Sequence, residues 1–177
     1  MSNCFLMRGV AGSGKSYLAN LLEEKYQFES QVFSADVYWL RPDGRYDFNP
    51  RLLGNAHEWN FNCFCQALKD EISHVIVDNT NTTAKECSPY IHKALKAGYK
   101  VYIVEPNTPW CLNVDELVKR NQHSVPREAI ERMLSRWEPS SVIQSQFAVD
   151  IPILLGEECL KLGDSGNFHD IVDVLLS

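Results

Sequence analysis

The sequence predicts an α/β fold in which a parallel sheet lies between two layers of helices. Short apolar runs alternate with longer stretches whose apolar residues recur at helical spacing, which is typical of parallel strands joined by helices. The apolar runs are nearly continuous in Val, Ile, Leu and Phe, as expected for strands buried on both faces. At 177 residues the chain suits one such domain with a substantial core.

Four strands and three helices follow from this pattern. The strands are predicted at CFLMR, QVFSA, HVIVDNT and YKVYIVEP, and the helices at residues 15–26, 50–71 and 83–97. The apolar face of the second helix is predicted to contain Leu52, Ala56, Trp59 and Cys63. The run DIPILL at residues 150–155 is a candidate fifth strand at the sheet edge. We expect a domain over residues 1–155 and an acidic tail or short helix over residues 156–177.

Composition narrows the class of protein. The net charge of −6 argues against a protein that coats nucleic acid by bulk attraction, although residues 119–137 hold five basic residues against two acids. No apolar run is long enough for a membrane span and the N-terminus does not resemble a signal peptide, so we expect a cytoplasmic protein, or a nuclear one in a eukaryote. The six cysteines are interpreted as reduced, mostly buried thiols, because the single CxC at 63 and 65 cannot build a tetrahedral metal site.

The segment GVAGSGKS, residues 9–16, matches the phosphate-binding pattern GxxxxGK[ST] between a predicted strand and helix. Its glycines allow successive backbone NH groups to point at one anion, and the helix N-terminus adds unpaired NH groups and a positive dipole end. Lys15 is predicted to reach the outer phosphates and the Ser16 hydroxyl to bind magnesium. The predicted nucleotide contacts are Gly9, Ala11, Gly12, Ser13, Gly14, Lys15, Ser16 and Tyr17.

Two carboxylates follow predicted strands, at the sheet edge where ligands of open α/β folds bind. Asp36, after the second strand, is a candidate general base for a hydroxyl that attacks a γ-phosphate; its alternative role is a helix cap or turn. Asp78 ends the third strand, as a magnesium-binding Walker B acid would. Ser16 and Asp78 are therefore the predicted metal ligands. For Thr82 or Thr83, just beyond, capping the next helix is the favoured role.

Arginines near residue 120 are candidates for stabilising charge on a transferred phosphoryl group. Arg120 follows the helical stretch NVDELVKR, and a new helix is predicted to begin near Pro126. Arg132 and Arg136 lie four residues apart on that helix, and for Arg132 an ordinary ion pair with Glu128 is an equal alternative. Arg120, beside the break, is the favoured catalytic residue.

The aromatic segment VYWLRPDGRYDFN, residues 37–49, is either a loop packed on the core or the wall of a binding cleft, and its composition favours packing. Trp39, Tyr46 and Trp59 are candidates for stacking on bases, although core packing is favoured for Trp59. His57 is either a partly buried helical histidine or a cleft residue.

Several of these segments resemble P-loop kinases related to phage polynucleotide kinase, and most closely the kinase-like domain of the Nedd-four-binding proteins. The matching segments lie between residues 8 and 137, and the most specific are GRYDFNPRLLGNAHEWN, VIVDNTNT and ELVKRNQHSVPREAIERM. The resemblance implies a P-loop NTPase fold of kinase type with a short lid, ATP and Mg²⁺, and transfer of the γ-phosphate to a hydroxyl, in the best known members the 5′-hydroxyl of a polynucleotide.

Carried over by position, the resemblance makes Asp36 the general base, Lys15 and Ser16 the phosphate and metal contacts, and Arg120 with Arg127 the lid. The phage pattern has an acidic pair followed closely by an arginine, whereas here Val37, Tyr38 and Trp39 follow Asp36. The lid between Arg120 and Pro126 is also shorter than in the phage enzyme. Both departures affect which acceptor is expected more than they affect the expected phosphoryl transfer.

Three functions stay open at this point. They are a kinase acting on a nucleic-acid end or a nucleotide, a kinase of a small metabolite or nucleotide sugar, and a non-catalytic ATP-binding module whose acidic tail docks a partner. The absence of an NKxD motif argues against a GTP switch, and the absence of HxT or HxS pairs argues against a cyclic-phosphate hydrolase of that type.

Overall fold

The computed structural model describes residues 1–162, and in these residues five parallel strands form one sheet. The order across the sheet is β2-β3-β1-β4-β5, and β1 pairs in register with both β3 and β4. The predicted α/β fold is confirmed, and DIPILL does supply an edge strand, paired with β4. The strand bounds are β1 (Asn3–Met7), β2 (Ser30–Phe33), β3 (His74–Asp78), β4 (Lys100–Glu105) and β5 (Ile153–Leu155).

Six α-helices and four short 3₁₀ helices connect the strands within residues 1–162. Thr83 caps α3, since its side chain accepts a hydrogen bond from the Glu86 NH, as predicted for Thr82 or Thr83. The α-helices are α1 (Lys15–Tyr26), α2 (Leu53–Lys69), α3 (Ala84–Lys96), α4 (Val114–Arg120), α5 (Arg127–Ser135) and α6 (Ser140–Gln144). The 3₁₀ helices are Gln27–Glu29, Ala35–Trp39, Pro50–Leu52 and Gly156–Lys161.

The sheet separates two apolar cores because successive side chains of a strand point to opposite faces. Phe5 and Met7 of β1 pack with α1, whereas Cys4 and Leu6 pack with α2, α3 and α6 on the other side. This three-layer arrangement leaves the carboxyl ends of the strands, and the loops that follow them, along one edge of the sheet. The phosphate-loop segment, Asp36 and Asp78 all follow strands at this edge.

The predicted apolar face of α2 was wrong in part. The α-helix begins at Leu53, after a 3₁₀ turn, and its buried residues are Ala56, Asn60, Phe64, Ala67 and Leu68. Phe64 sets this face by packing edge-on against Phe33 and Tyr90, with ring centroids 5.8 Å and 5.0 Å away. Trp59, five residues earlier, therefore lies on the flank of the helix, 38% exposed, rather than in the core.

Residues 156–162 pack against α1. Cys159 and Leu162 are buried in the same core as α1, and the Lys25 ammonium donates to the carbonyls of Leu160 and Leu162. Residues 156–162 therefore share a core with α1, and the boundary at residue 155 stays a prediction. The rest of the predicted acidic tail, residues 163–177, lies outside the described residues. Within residues 1–162, no helix has the length and apolarity that crossing a bilayer requires.

Candidate active site

The phosphate-loop segment joins β1 to α1 in a conformation that requires glycine. Gly12 and Gly14 have φ of 82° and 99°, values that a side chain disfavours. The Gly12 and Ser13 carbonyls accept hydrogen bonds from the Trp110 indole NH at 3.1 Å and the Thr108 hydroxyl at 2.8 Å. No side chain caps α1 at Gly14, so the NH groups of its first turn are left for an anion.

The groups around this loop fit a phosphate. The Ser13 hydroxyl is buried and has no hydrogen-bond partner among the described residues, although a buried donor of this kind normally has one. A Cβ on Gly9 would lie 2.6 Å from that hydroxyl oxygen, so a larger residue would fill the cradle. Ala11 is half-buried and Tyr17, 59% exposed, lies at the start of α1.

Lys15 and Ser16, at the start of α1, contact Asp78 at the end of β3. The Lys15 ammonium forms an ion pair with the Asp78 carboxylate, and both side chains are 10% exposed. The Ser16 hydroxyl donates to Oδ2 of Asp78 at 2.9 Å. One hydroxyl and one carboxylate suit Mg²⁺, which keeps several waters and shares its coordination with substrate phosphates. In the described part of the chain, no group of three or more His, Cys, Asp or Glu side chains could hold a metal.

Asp36 lies in the first turn of the 3₁₀ helix Ala35–Trp39, where its NH bonds to the Ser34 hydroxyl. Its carboxylate is 52% exposed and faces one residue from the hairpin that follows and one from the loop after α4. The Tyr46 hydroxyl donates to Oδ1 at 3.1 Å, and Nε2 of His123 lies 3.6 Å from Oδ2. The Tyr46 and His123 rings also stack, with centroids 4.7 Å apart. Partial burial, together with the charge and hydrogen bond of Asp36, raises the pKa of Tyr46, so its hydroxyl remains a donor.

Sequence reasoning did not assign this contact to Tyr46 or His123. The sequence makes Tyr46 a candidate for base stacking and places His123 in the segment ELVKRNQHSVPREAIERM, but it predicts no contact of either residue with Asp36. The turn PDG was the one available signal, since it predicts that the chain folds back near Tyr46. The observed hairpin does so through an antiparallel bridge between Leu40 and Tyr46.

The two lid arginines differ in their surroundings. The Arg120 guanidinium lies 3.8 Å from the centroid of the Trp110 ring, whose NH bonds to the phosphate loop, and Arg120 also donates to Glu116 at 3.1 Å. Arg127 instead pairs with Asp115, and with Glu131 at 3.7 Å. Its hydrogen bond and charge lower the pKa of Asp115, whose carboxylate in turn raises the pKa of Arg127. The structure therefore brings Arg120 close to the phosphate loop and leaves Arg127 paired within the lid.

The remaining candidate residues lie outside the group formed by the phosphate loop, Asp36 and Asp78. Arg132 is exposed and does not pair with Glu128 in residues 1–162, whereas Arg136 donates to the Thr82 hydroxyl at 2.9 Å. His57 is exposed on α2, so the alternative of a partly buried helical histidine is wrong. Trp39 is buried, and Trp59 contacts Tyr38 with ring centroids 5.8 Å apart.

Sequence reasoning also missed Arg8, the residue directly before the phosphate loop. Its side chain is fully buried and its guanidinium binds Glu105 at 2.9 Å, the Ser140 hydroxyl at 2.5 Å and three backbone carbonyls. The Trp137 ring packs on its face, 4.2 Å away. A buried charge persists only when it is paired and hydrogen-bonded, as here. Arg8 thus joins the end of β1 to β4, to the loop before α3 and to the segment after α5.

Fold and site together define a P-loop kinase-like α/β domain. The family model AAA_33, an AAA domain, matches residues 5–140, and the chain belongs to this family. The chain is 41% identical over 150 residues to NEDD4-binding protein 2 of Homo sapiens, an alignment that covers 85% of this chain and 8% of that protein. The resemblance inferred from the sequence is therefore confirmed.

Two further comparisons are more distant. The 2′,3′-cyclic-nucleotide 3′-phosphodiesterase of Rattus norvegicus is 30% identical over 129 residues, which cover 73% of this chain and 30% of that protein. A chain in the structure of the Pnkp1/Rnl/Hen1 RNA repair complex aligns with a TM-score of 0.60 at 20% identity, covering 82% of this chain and 46% of that chain. This chain therefore shares its fold with part of larger proteins.

Proposed function

We propose that this chain is an ATP-dependent phosphotransferase that moves the γ-phosphate to a hydroxyl acceptor, preferentially the 5′-hydroxyl end of a polynucleotide. One observation carries the proposal: an exposed carboxylate, that of Asp36, is oriented by Tyr46 and His123 at the same sheet edge as a phosphate cradle. A carboxylate that is held in place yet open to solvent can accept a proton from an incoming hydroxyl.

In this proposal the segment from Gly9 to Tyr17 holds the triphosphate through its backbone NH groups, with the Lys15 ammonium on the outer phosphates. Ser16 and Asp78 would hold Mg²⁺. When bound, the ion neutralises negative charge on the phosphate oxygens. Lys15 then exchanges its contact with Asp78 for a contact with phosphate, so that the buried ammonium keeps a negatively charged partner.

Transfer requires that Asp36 take the proton of the acceptor hydroxyl while the hydroxyl oxygen forms a bond to the γ-phosphorus. The bond from that phosphorus to the bridging oxygen breaks, and ADP leaves with the electron pair. Arg120 neutralises the charge that develops on the transferring group, since its guanidinium already lies beside the phosphate loop. Arg127, with Asp115 and Glu131, fixes the lid helices relative to each other.

The names of the similar proteins favour a nucleic-acid acceptor, since one chain belongs to an RNA repair complex and one relative is named for cyclic nucleotides. Hydrolysis of cyclic phosphates is not part of the proposal, because none of the five histidines is followed two positions later by Ser or Thr. Transfer to a small metabolite and ATP binding without transfer are the outcomes that compete with it.

The test compares the wild type with Asp36→Asn. Both proteins are incubated with labelled ATP and Mg²⁺, and are offered 5′-hydroxyl DNA and RNA oligonucleotides beside a metabolite panel. We expect labelled oligonucleotide from the wild type, and a loss on the order of a hundredfold or more in the variant with ATP affinity largely kept. Label on a small acceptor alone would favour a metabolite kinase, and tight ATP binding without label a non-catalytic module. Equal turnover by both proteins would remove Asp36 from the mechanism.

A further inference from the structure

A cavity of about 430 Å³ opens at the 3₁₀ helix that carries Asp36. Two of its lining residues, Tyr38 and Trp39, belong to the same 3₁₀ helix as Asp36, and the others follow in the hairpin and the turn before α2. The volume falls in the range of sites that hold a small organic ligand. The lining residues are Tyr38, Trp39, Arg41, Asp47, Asn49 and Leu52.

Within a mostly polar lining, the cavity has one half-buried aromatic wall, Tyr38, and one exposed apolar residue, Leu52. Trp59 packs against Tyr38, and Phe48 packs edge-on against Trp39 at 5.2 Å, yet Trp59 is 38% exposed and Phe48 is 50% exposed. Leu52 in the lining is also exposed. Flat, partly apolar surfaces of this kind favour a flat ring as ligand.

Among the polar groups of the lining, Asp47 keeps an acceptor available and Asn49 keeps a donor available. Oδ2 of Asp47 accepts two hydrogen bonds from Arg41, at 2.7 and 3.1 Å, while Oδ1 has no partner within residues 1–162. Oδ1 of Asn49 accepts from the Arg51 NH at 3.0 Å, and the amide nitrogen of Asn49 is without a partner in the same part of the chain. An acceptor and a donor on residues two positions apart suit the edge of a nucleobase that carries an exocyclic amine.

The charge of the cavity argues against a phosphate ligand. The one positive group in the lining, Arg41, is paired with the one negative group, Asp47. The cavity therefore has no net charge to attract an anion, whereas hydrogen bonding to a neutral ring needs none.

We propose that this cavity binds the base of the acceptor's terminal nucleotide while its 5′-hydroxyl faces Asp36. The inference rests on the proposed function and specifies its acceptor as one that carries a nucleobase. Asp36 and Tyr38 are two residues apart on one 3₁₀ helix, about 4 Å along its axis and about 120° apart around it, so the sugar of the nucleotide has to cross this turn with its hydroxyl at Asp36 and its base at Tyr38. The cavity prefers a base whose edge offers an amine donor to Asp47.

The test uses oligonucleotides that differ only at the 5′-terminal residue, which is either a normal nucleotide or an abasic one. We expect the KM of the wild type to be on the order of tenfold higher for the abasic acceptor, with kcat little changed, because base stacking is lost.

Tyr38→Leu keeps an apolar side chain but no flat ring, and it should reduce this discrimination. Asn49→Asp keeps the oxygen that accepts from Arg51 and removes the amide donor, so it should change the preference among bases. Phe28→Ala, which removes a fully exposed aromatic ring, is the control that should behave as the wild type.

Equal KM values for normal and abasic acceptors, with transfer intact, would overturn the inference and leave the proposed function standing. A second measurement, calorimetric binding of free nucleosides to the wild type and to Tyr38→Leu, does not depend on transfer. Binding that the variant loses supports the cavity even if no oligonucleotide is phosphorylated. If the wild type neither binds nucleosides nor transfers phosphate, the inference and the proposed function are both overturned.

Discussion

The hydroxyl of Tyr46 donates a hydrogen bond to Oδ1 of Asp36 at 3.1 Å. We expect Tyr46→Phe, which keeps the ring stacked on His123, to lower kcat about tenfold because the carboxylate loses the bond that orients it. ATP affinity should not change, since Tyr46 contacts Asp36, His123 and the hairpin strand at Leu40. Steady-state kinetics with an oligonucleotide acceptor measure both quantities. Tyr99→Phe, which removes a hydroxyl bonded to the Ile72 carbonyl, is the control, and an unchanged kcat in Tyr46→Phe would contradict the orienting role.

Arg120 and Arg132 form a matched pair of arginines in the lid region. Arg120 lies over Trp110 beside the phosphate loop, whereas Arg132 is exposed and forms no ion pair within residues 1–162. We expect Arg120→Ala to slow transfer on the order of a hundredfold because charge on the moving phosphoryl group is left uncompensated. Arg132→Ala should leave transfer unchanged. Single-turnover rates with saturating ATP separate this effect from binding, and equal rates for the two variants would exclude the role of Arg120.

Gly12 lies where α4 packs against the phosphate loop. A Cβ there would lie 2.4 Å from the Leu117 carbonyl oxygen, and φ is 82°. Gly98 has nearly the same φ, 84°, but a Cβ would meet no atom within 4 Å. Gly98→Ala should therefore cost about 1 kcal/mol of unfolding free energy for the conformation alone, and Gly12→Ala about 1–3 kcal/mol more for the clash. Urea denaturation of both variants tests this prediction. Equal losses of unfolding free energy would show that α4 moves aside for the added Cβ at no energetic cost.

Arg8 is expected to be intolerant even of lysine. Lysine keeps the charge but not the planar set of five NH donors that binds Glu105, Ser140 and three carbonyls. We expect Arg8→Lys to lower the free energy of unfolding by about 3 kcal/mol or more, because a buried charge and its acceptors lose their partners. Arg45→Lys, at an exposed ion pair with Asp43, should cost at most about 0.5 kcal/mol. Urea denaturation measures both losses. Equal denaturant midpoints for Arg8→Lys and Arg45→Lys would refute the prediction.

Burial raises the pKa of the Cys4 thiol from 9.0 to about 12. The unfolded chain ionises this thiol at its ordinary pKa, so above pH 9.0 the folded state binds more protons and the free energy of unfolding falls as the pH rises. This contribution is complete below pH 9.0 and is lost progressively towards about pH 12. Cys4→Ala should make the decline shallower by up to about 1.4 kcal/mol per pH unit. Urea titrations at several alkaline pH values measure the slope. At neutral pH, the difference in unfolding free energy between the wild type and Cys4→Ala gives the packing effect alone. Identical pH slopes for the two proteins would contradict the prediction.

Local chemistry made much of the fold predictable. The glycines at 12 and 14, the helix that follows them and the polar residues at strand ends depend on backbone preference and on parallel strands ending at one edge. The strand order, by contrast, follows from which apolar faces pack together. The face of α2 shows the difference: helical spacing allowed Trp59 into the core, and the contacts of Phe64 with Phe33 and Tyr90 turned it out.

By itself, the sequence determined the α/β class, the glycine-rich loop that precedes α1 and the placement of Asp36 and Asp78 after strands, because each depends on neighbours within a few residues. Tertiary structure alone decided that Tyr46 and His123, 77 residues apart, meet at Asp36, that Arg8 is buried among five acceptors, and that a cavity opens beside Tyr38. The physical reason is that a side chain's partner from a distant loop is chosen by packing in three dimensions. Spacing along the chain does not encode that choice.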